Sequence, residues 1–207
     1  MSDRACTFYI VRHGQAKLNR DRIVMGQLDS PLTPAGQAQA ARIRSDLTNY
    51  SFGAFLSSDL RRAIDTVRTI AGANANILLD SRLRERSFGR LEGQPYKSLV
   101  ILREECEKLA PEKLWHYKLA ADVESDAEVH DRAYECLSQK AIEYEGQNVL
   151  VVTHSGPIRV LLMGIGISLP PGSFQHGQYA KLQFEDDSVI FQGIFPAIEE
   201  SSEQTTE

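Results

Sequence analysis

Short apolar runs alternate with longer stretches of helical periodicity along most of the chain. The apolar runs predict four strands, at Thr7–Val11, Ala54–Leu56, Ile77–Leu79 and Val149–Val152. Helical spacing predicts helices from Pro34 to about Asn49, from Leu60 to about Ala71, from Tyr96 to about Leu109, from Asp126 to about Tyr144, and onward from Ser155-Gly156-Pro157. Because a crossover helix usually connects parallel neighbours, this alternation indicates a parallel sheet.

The pattern changes near the C-terminus. Tyr179–Phe184 and Val189–Ile194 read as two strands, and the polar stretch Glu185–Ser188 between them predicts a hairpin. We therefore predict an α/β fold of three layers, with a mostly parallel central sheet flanked by helices and an antiparallel hairpin at the sheet edge. Residues 1–198 are predicted to form a single domain, and the acidic, polar residues 199–207 a disordered tail.

Two helix starts carry side chains suited to capping. Thr33 is a natural N-cap for a helix whose first residue is Pro34. Ser57-Ser58-Asp59 precedes the helical stretch that starts at Leu60, so we expect a side-chain cap there as well.

Composition narrows the class of protein without selecting a function. The 207 residues are 42% hydrophobic and 25% charged, which is ordinary for a globular domain with its own core. A formal net charge of -5 favours neither nucleic acid nor an anionic membrane as a partner, and no apolar stretch suits a membrane span or a signal peptide. We expect a cytoplasmic protein. The scattered cysteines Cys6, Cys106 and Cys136 suggest neither a disulfide framework nor a zinc knuckle.

Two of the predicted strands lead into a histidine. Arg12-His13-Gly14 follows the first apolar run, and His154 follows the last. Both histidines stand at the carboxyl end of a strand, where α/β proteins carry their ligand sites. Such a pair suits a metal site, a pair of general bases or a site that handles phosphoryl groups.

The neighbouring residues favour phosphoryl chemistry. No His-Glu-x-x-His or Asp-x-His spacing accompanies the histidines, so a metal site is not indicated. Arg12 stands beside His13, and Arg62 lies near the start of the predicted helix after Ala54–Leu56. Guanidinium groups bind phosphate oxygens in pairs, and a helix that starts after His154 adds backbone N–H donors. Together these residues predict a site for a tetrahedral anion.

Five ordered blocks between residues 8 and 165 carry a more specific signal. They are Val11–Gly14 with Asn19; Gly26 with Asp29–Thr33 and Gly36; Ser57–Ala63 with Thr66; Leu83–Gly89 with Leu91–Gly93; and Val152–Gly156. In these blocks the chain resembles the histidine phosphatase superfamily, in its phosphoglycerate mutase-like branch.

The resemblance implies a role for each of the principal site residues. His13 attacks phosphorus and becomes a phosphohistidine. The non-bridging oxygens are bound by Arg12, Arg62 and His154. Glu85 protonates the leaving oxygen and later accepts a proton from the attacking water.

The resemblance also implies which other groups take part. Asn19, Gln15 and Ser155 are implied as contacts to the phosphate or the substrate. Because arginines offset the charge of the phosphoryl group, neither a metal nor another cofactor is implied. The implied partner is a small phosphorylated metabolite.

The acceptor of the phosphoryl group is either water or a second hydroxyl. Cofactor-dependent mutases of this superfamily carry a Tyr three residues after the catalytic Glu and a Lys eight residues beyond that Tyr, and Phe88 and Tyr96 occupy these positions here. The Arg pair of those mutases has no counterpart between Arg86 and Arg132. We therefore expect a phosphatase that hydrolyses a small phosphomonoester. A phosphoglycerate mutase is the alternative, and an inert phosphate-binding protein is a remote one.

The identity of the substrate and the oligomeric state, monomer or homodimer, are left open. Residues 94–126 and 175–178 are expected to line the substrate groove. Arg61 is expected to be an exposed helix residue. His116, His130 and His176 are expected to be ordinary surface or packing residues, although His176 precedes the hairpin and could reach the mouth of the site.

Overall fold

The computed structural model describes residues 4–106, 110–170, 172–185 and 188–196. The strands are β1 (Cys6–Arg12), β2 (Ala54–Ser57), β3 (Ile77–Leu79), β4 (Asn148–Thr153), β5 (Tyr179–Glu185) and β6 (Ser188–Phe195). The α-helices are α1 (Lys17–Arg20), α2 (Pro34–Asp46), α3 (Arg61–Ala71), α4 (Tyr96–Cys106), α5 (Pro111–Leu114), α6 (Asp126–Glu143) and α7 (Ser155–Gly164). Two short 3₁₀ turns occupy Ser81–Leu83 and Gly89–Leu91.

The strands form one six-stranded sheet in the order β3-β2-β4-β1-β5-β6. The first four strands in this order are parallel to one another, whereas β5 is antiparallel to both β1 and β6. This topology confirms the predicted α/β fold with an antiparallel hairpin at one edge. The centre of the sheet is formed by β1 and β4, the two strands that lead into the histidines.

Side chains from β1 and β4 fill two separate cores. On one face of the sheet, Phe8 and Val151 pack with residues of α6 and α7. On the other face, Tyr9 and Val152 pack with residues of α2 and α3. Successive residues of a strand point to opposite faces, so an uninterrupted apolar run requires helices on both sides. Burying one such aliphatic side chain contributes about 1.5–3 kcal/mol, which makes these two strands a main source of stability.

The register of the central strands brings the two histidines together. Arg12 of β1 is paired with Thr153 of β4, so the next residue of each strand leaves the sheet at the same level. The backbone N–H of His13 donates to the carbonyl oxygen of Thr153 at 3.0 Å. His13 and His154 therefore emerge side by side at the carboxyl edge of the sheet.

The two predicted caps had different outcomes. Thr33 caps α2 as predicted, because its side chain accepts a hydrogen bond from the backbone N–H of Gly36 and Pro34 is the first helical residue. The N-cap of α3 is Leu60, and that residue makes no side-chain cap. The N–H of Arg61 donates to Asp29 Oδ1 at 3.1 Å, while Ser58 bonds to His154 and Asp59 pairs with Arg84. Tertiary partners have thus displaced the expected cap.

A third apolar cluster fixes the loop that follows β3. Phe88, near the middle of this loop, is buried against Val24, Leu99 and Val123. One of the two short 3₁₀ turns, Gly89–Leu91, lies within this loop. The buried side chain of Phe88 therefore anchors this loop.

Some expectations concern residues outside the described ranges. The predicted end of the fourth helix at Leu109 is one of them, since α4 is described to Cys106. The predicted tail, residues 199–207, is another. Within the described helices, none combines the length and the apolar character that a membrane crossing requires.

Candidate active site

His13 and His154 lie in contact below a cavity at the carboxyl edge of the sheet. Their ring centroids are 4.9 Å apart. His13 is 2% exposed and His154 is completely buried. Burial, together with the nearby Arg62 guanidinium, lowers the pKa of both imidazoles well below 6.5. Both rings are therefore neutral near pH 7.

The hydrogen bonds of His13 assign its tautomer. Nδ1 lies 2.7 Å from the carbonyl oxygen of Gly14, which can only accept a hydrogen bond, so Nδ1 carries the proton. Arg62 Nε, which can only donate, lies 3.2 Å from Nε2. Nε2 therefore carries no proton, and its lone pair, which accepts from Arg62 here, makes the neutral imidazole a nucleophile.

Close backbone packing explains the glycine after His13. A Cβ at Gly14 would lie 2.3 Å from the carbonyl oxygen of Gly36 at the start of α2. The N–H of Gly14 donates to Thr66 Oγ1 at 3.0 Å, and that hydroxyl donates to the carbonyl oxygen of Arg62 at 2.7 Å. Gly14, Gly36 and Thr66 thus hold the His13 loop against α2 and α3.

Arg62 links the two histidines to a neighbouring loop. Its side chain is fully buried, and its terminal nitrogens donate to the carbonyl oxygens of Gly26 at 2.6 Å and Leu28 at 2.8 Å. Nε is shared between Nε2 of His13 and Nδ1 of His154, each at 3.2 Å. Burial lowers the pKa of Arg62 to about 10, so the guanidinium keeps its charge near neutral pH.

Both ring nitrogens of His154 are engaged within the protein. Nδ1 accepts from Arg62 Nε, and Nε2 donates to Ser58 Oγ at 2.9 Å. His154 therefore lies under the floor of the cavity with its Nδ1 turned toward His13 and Arg62. To donate to a phosphate oxygen from Nδ1, His154 would need a second proton.

Arg12 offers a donor that has no partner. Its Nη1 donates to the carbonyl oxygen of Phe174 at 2.5 Å, while Nε is buried without a hydrogen-bond partner among the described residues. Burial lowers the pKa of Arg12 from its usual value. A buried donor without an acceptor is costly, so the site fits an anionic ligand that would supply one.

Glu85 reaches the start of α7. Its Oε2 accepts hydrogen bonds from Ser155 Oγ and from the backbone N–H of Gly156, each at 3.2 Å, and Oε1 accepts from the N–H of Arg86 at 2.7 Å. Glu85 and Arg12 line the same cavity as His13. A proton donor and acceptor thus shares the cavity with the candidate nucleophile.

An ion pair behind the cavity braces the Glu85 loop. Arg132 donates to the carbonyl oxygens of Arg82 and Arg84 at 2.7 Å and of Glu85 at 3.1 Å. Its remaining bonds go to both carboxylate oxygens of Glu124, at 2.9 and 3.0 Å. Because these backbone carbonyls have few other donors, Arg132 and Glu124 set the conformation of the segment that carries Glu85.

The cavity has a volume of about 690 Å³. Six of the predicted site residues line it, namely Arg12, His13, Gln15, Asn19, Glu85 and Ser155. Thr33 Oγ1 donates to the side-chain amide oxygen of Gln15 at 2.9 Å. The backbone N–H of Ala16 donates to the side-chain amide oxygen of Asn19 at 3.1 Å. The amide nitrogens of Gln15 and Asn19 can then act as further donors to a ligand. Among the described residues, no group of three or more His, Cys, Asp or Glu side chains is placed to hold a metal ion.

A family model described as the histidine phosphatase superfamily (branch 1) matches residues 8–189. The chain belongs to this superfamily. Phosphoglycerate mutase-like protein 4 of Arabidopsis thaliana is 33% identical over 73% of this chain and 67% of its own length. A putative phosphoserine phosphatase 2 of Hydrogenobacter thermophilus is 34% identical over 77% of this chain and 79% of its own. The solved structure of Bacillus stearothermophilus YhfR superimposes with a TM-score of 0.79 and 25% identity, covering 90% of this chain and 95% of that one.

His176 lies within the range that matches the histidine phosphatase superfamily. It was expected to be an ordinary surface or packing residue that could reach the mouth of the site. The structure places it at the site. Its Nδ1 donates to the carbonyl oxygen of His13 at 2.7 Å, and the two rings are 5.3 Å apart. Burial lowers its pKa to about 4. No local pattern distinguishes His176, because its position depends on how the chain returns to the sheet before β5.

Two other expectations about this member of the superfamily match the structure. Arg61 is exposed, and its side chain lies 3.6 Å from Asp65 one turn along α3. His130 packs between Trp115 and Tyr134, away from the cavity. The presence of an arginine or a histidine therefore does not identify a site residue. Its position relative to the ends of the strands does.

Proposed function

We propose that this protein is a phosphatase that hydrolyses a small phosphomonoester through a phosphohistidine on Nε2 of His13. The observation that carries the proposal is the pair of contacts made by the His13 ring: Nδ1 keeps its proton and donates to the carbonyl oxygen of Gly14, so Nε2 is unprotonated beside Arg62. The mechanism has two displacements at phosphorus, with the arginines offsetting charge and without a metal ion or organic cofactor.

In the first displacement, the Nε2 lone pair of His13 forms a bond to phosphorus as the bond from phosphorus to the ester oxygen breaks. Arg12 and Arg62 bind the non-bridging oxygens, with the unpaired Nε of Arg12 as one donor. His154 stays neutral and accepts from Arg62 Nε through Nδ1, which orients that guanidinium. A protonated Glu85 gives its proton to the departing oxygen, so that an alcohol leaves.

In the second displacement, water attacks the phosphohistidine. The oxygen of water forms a bond to phosphorus, the bond from phosphorus to Nε2 breaks, and Glu85 takes the proton that water loses. Inorganic phosphate leaves, and both residues return to their starting states. Ser155 Oγ and the N–H of Gly156 hold the carboxylate of Glu85 in place for both proton transfers.

Two residues of the cavity wall favour water over a second hydroxyl as the acceptor. Phe88 and Tyr96 line the cavity at the positions where the mutases carry Tyr and Lys. Neither side chain supplies a cation that would hold a phosphoglycerate for re-phosphorylation. The relatives bear both kinds of name, phosphoglycerate mutase-like and phosphoserine phosphatase, so a mutase is the second candidate. An inert phosphate-binding protein is disfavoured because His13 and Glu85 are both present.

The test is a pre-steady-state assay with p-nitrophenyl phosphate. The expected result is a burst of p-nitrophenol and an acid-labile phosphoryl label on His13, both absent from His13→Ala. His130→Ala, which removes a histidine outside the cavity, is the matched control and should keep both signals. Full activity of His13→Ala would overturn the mechanism.

A second assay separates the phosphatase from the mutase. The protein is incubated with 3-phosphoglycerate and catalytic bisphosphoglycerate, and both inorganic phosphate and the 2-isomer are measured. The proposal expects release of phosphate in excess of the 2-isomer. Rapid formation of the 2-isomer without matching phosphate release would identify a mutase instead.

A further inference from the structure

The wall of the cavity beyond Glu85 is formed by one face of α7. Ser155, Arg159 and Met163 are spaced four residues apart on this helix, and all three line the cavity. At about 1.5 Å of rise per residue, Arg159 lies roughly 6 Å beyond Ser155 along the helix. Since Ser155 bonds to the carboxylate of Glu85, α7 carries a cation one turn beyond the proton donor.

Arg159 belongs to a cluster of three charged side chains on this wall. Asp126 Oδ1 accepts from Arg159 Nη2 at 2.6 Å and also from Arg86 Nη2. The side chain of Arg86 is 7% exposed, and that of Arg159 is 28% exposed. The cluster therefore has a net charge of +1, and its most accessible member is a cation.

A purely structural ion pair accounts poorly for Arg159. Arg86 already pairs with Asp126 and is itself fixed by the carbonyl oxygen of Glu124 at 2.8 Å. The other terminal nitrogen of Arg159, Nη1, faces the sulfur of Met163 at 2.9 Å. A thioether is a weak acceptor, so an anionic oxygen from a ligand would be a better partner.

The cavity is lined by more positively charged side chains than a single phosphoryl group needs. The cations that line it are Arg12, Arg22, Arg86 and Arg159, against the anions Glu85 and Asp126, although the whole chain has a net charge of -5. Arg12 and the buried Arg62 are already assigned to phosphoryl oxygens. Arg159 is therefore a cation of the cavity wall that the phosphoryl group does not use.

We infer, on the basis of the proposed function, that the substrate is the phosphate ester of a short hydroxy acid, whose carboxylate binds Arg159 while its phosphoryl group lies on His13. The net charge of +1 on the cluster matches one carboxylate, whereas a second phosphate would bring nearly two negative charges. Separation by one helical turn requires the carboxylate to lie only a few bonds from the ester oxygen. Asp126 acts as a positioning residue that holds the guanidinium of Arg159 toward the cavity.

The test compares substrates that differ in the carboxylate alone. O-phosphoserine is paired with phosphoethanolamine, and 3-phosphoglycerate with glycerol 3-phosphate. We expect kcat/KM to be at least about tenfold higher for the carboxylated member of at least one pair, which corresponds to about 1.4 kcal/mol. Arg159→Gln should bring that ratio close to one by lowering kcat/KM of the carboxylated substrate only.

Two further variants keep the test decisive. Arg159→Lys keeps the charge and should retain a preference for the carboxylate, whereas Arg159→Glu should reverse it. Arg68→Gln, which changes an exposed helical arginine outside the cavity, is the matched control and should leave the ratio unchanged.

The possible failures are distinguishable. If the unmodified enzyme hydrolyses p-nitrophenyl phosphate and both members of each pair without preference, the carboxylate subsite is overturned and the phosphatase stands. An unchanged preference in folded Arg159→Gln would also overturn the subsite. If no phosphate is released from any ester, p-nitrophenyl phosphate included, the proposed function fails as well.

Discussion

Gly156, in the first turn of α7, offers the sharpest test of the role of Glu85. A Cβ added at this position would lie 2.0 Å from Oε1 of Glu85, whereas ordinary contact begins at 3.4 Å. In Gly156→Ala the carboxylate must therefore move by about 1.4 Å. The movement breaks the 2.7 Å hydrogen bond that Oε1 accepts from the N–H of Arg86, and it turns Oε2 away from Ser155 Oγ and the N–H of residue 156.

This displacement should reduce activity without reducing stability. The carboxylate is the free end of a flexible side chain, so it can turn away from the new methyl group at little cost. Alanine is favoured over glycine inside a helix by about 0.5–1 kcal/mol. Misplacing a catalytic group by 1 Å reduces the rate by about 100-fold. We expect kcat for glycerol 3-phosphate to fall about 100-fold, while the free energy of unfolding is unchanged or higher.

The leaving group identifies the cause of the loss. p-Nitrophenolate departs without a proton, so the fall in kcat of Gly156→Ala on p-nitrophenyl phosphate should be much smaller than on glycerol 3-phosphate. Ser155→Ala removes one hydrogen bond to Glu85 without adding a clash, and we expect it to lose less than about tenfold. A Gly156→Ala variant with unchanged kcat on glycerol 3-phosphate would refute the assignment of Glu85 as the proton donor.

Three further predictions follow from the braces and charges of the site. Arg132→Met leaves Glu124 unpaired, so the free energy of unfolding in urea should fall by about 3 kcal/mol, and an unchanged midpoint would contradict this role. Because His13, His154 and His176 have lowered pKa values in the folded protein, the unfolded chain binds more protons below pH 6.5. The free energy of unfolding should therefore be highest above pH 6.5 and fall as the pH is lowered toward 4. Urea titrations that coincide at pH 7 and pH 5 would be inconsistent with this. Chelator should leave kcat unchanged, and a loss that a divalent metal restores would show that the arginines are insufficient.

The strands and the strand-end histidines were predictable because their signals are local. An apolar run that fills two cores, as in β1 and β4, needs no knowledge of distant residues. The cap of α2 is equally local, since Thr33 bonds three residues ahead. The expected cap of α3 failed because Asp29, far away in the sequence, accepts from the N–H of Arg61, and Asp59 pairs with Arg84.

Positions that depend on tertiary placement were not predictable from pattern. Arg159 reads as an ordinary polar residue of an amphipathic helix until α7 is seen to line the cavity. His176 reaches His13 only because the chain returns across the strand ends before β5. The bonds of Arg132 to the carbonyl oxygens of Arg82 and Arg84 could not be read from the sequence either.

The pairing of β1 with β4 has a consequence for which changes in chain length this protein can accept. His13 and His154 meet through strand register, not through their distance along the sequence. Insertions in the surface connections between them leave that register intact. A single residue inserted into either strand would turn its histidine to the opposite face of the sheet and exchange the side chains of the two cores. The surface loops between the histidines are thus open to lengthening, whereas the strands that carry the histidines are not.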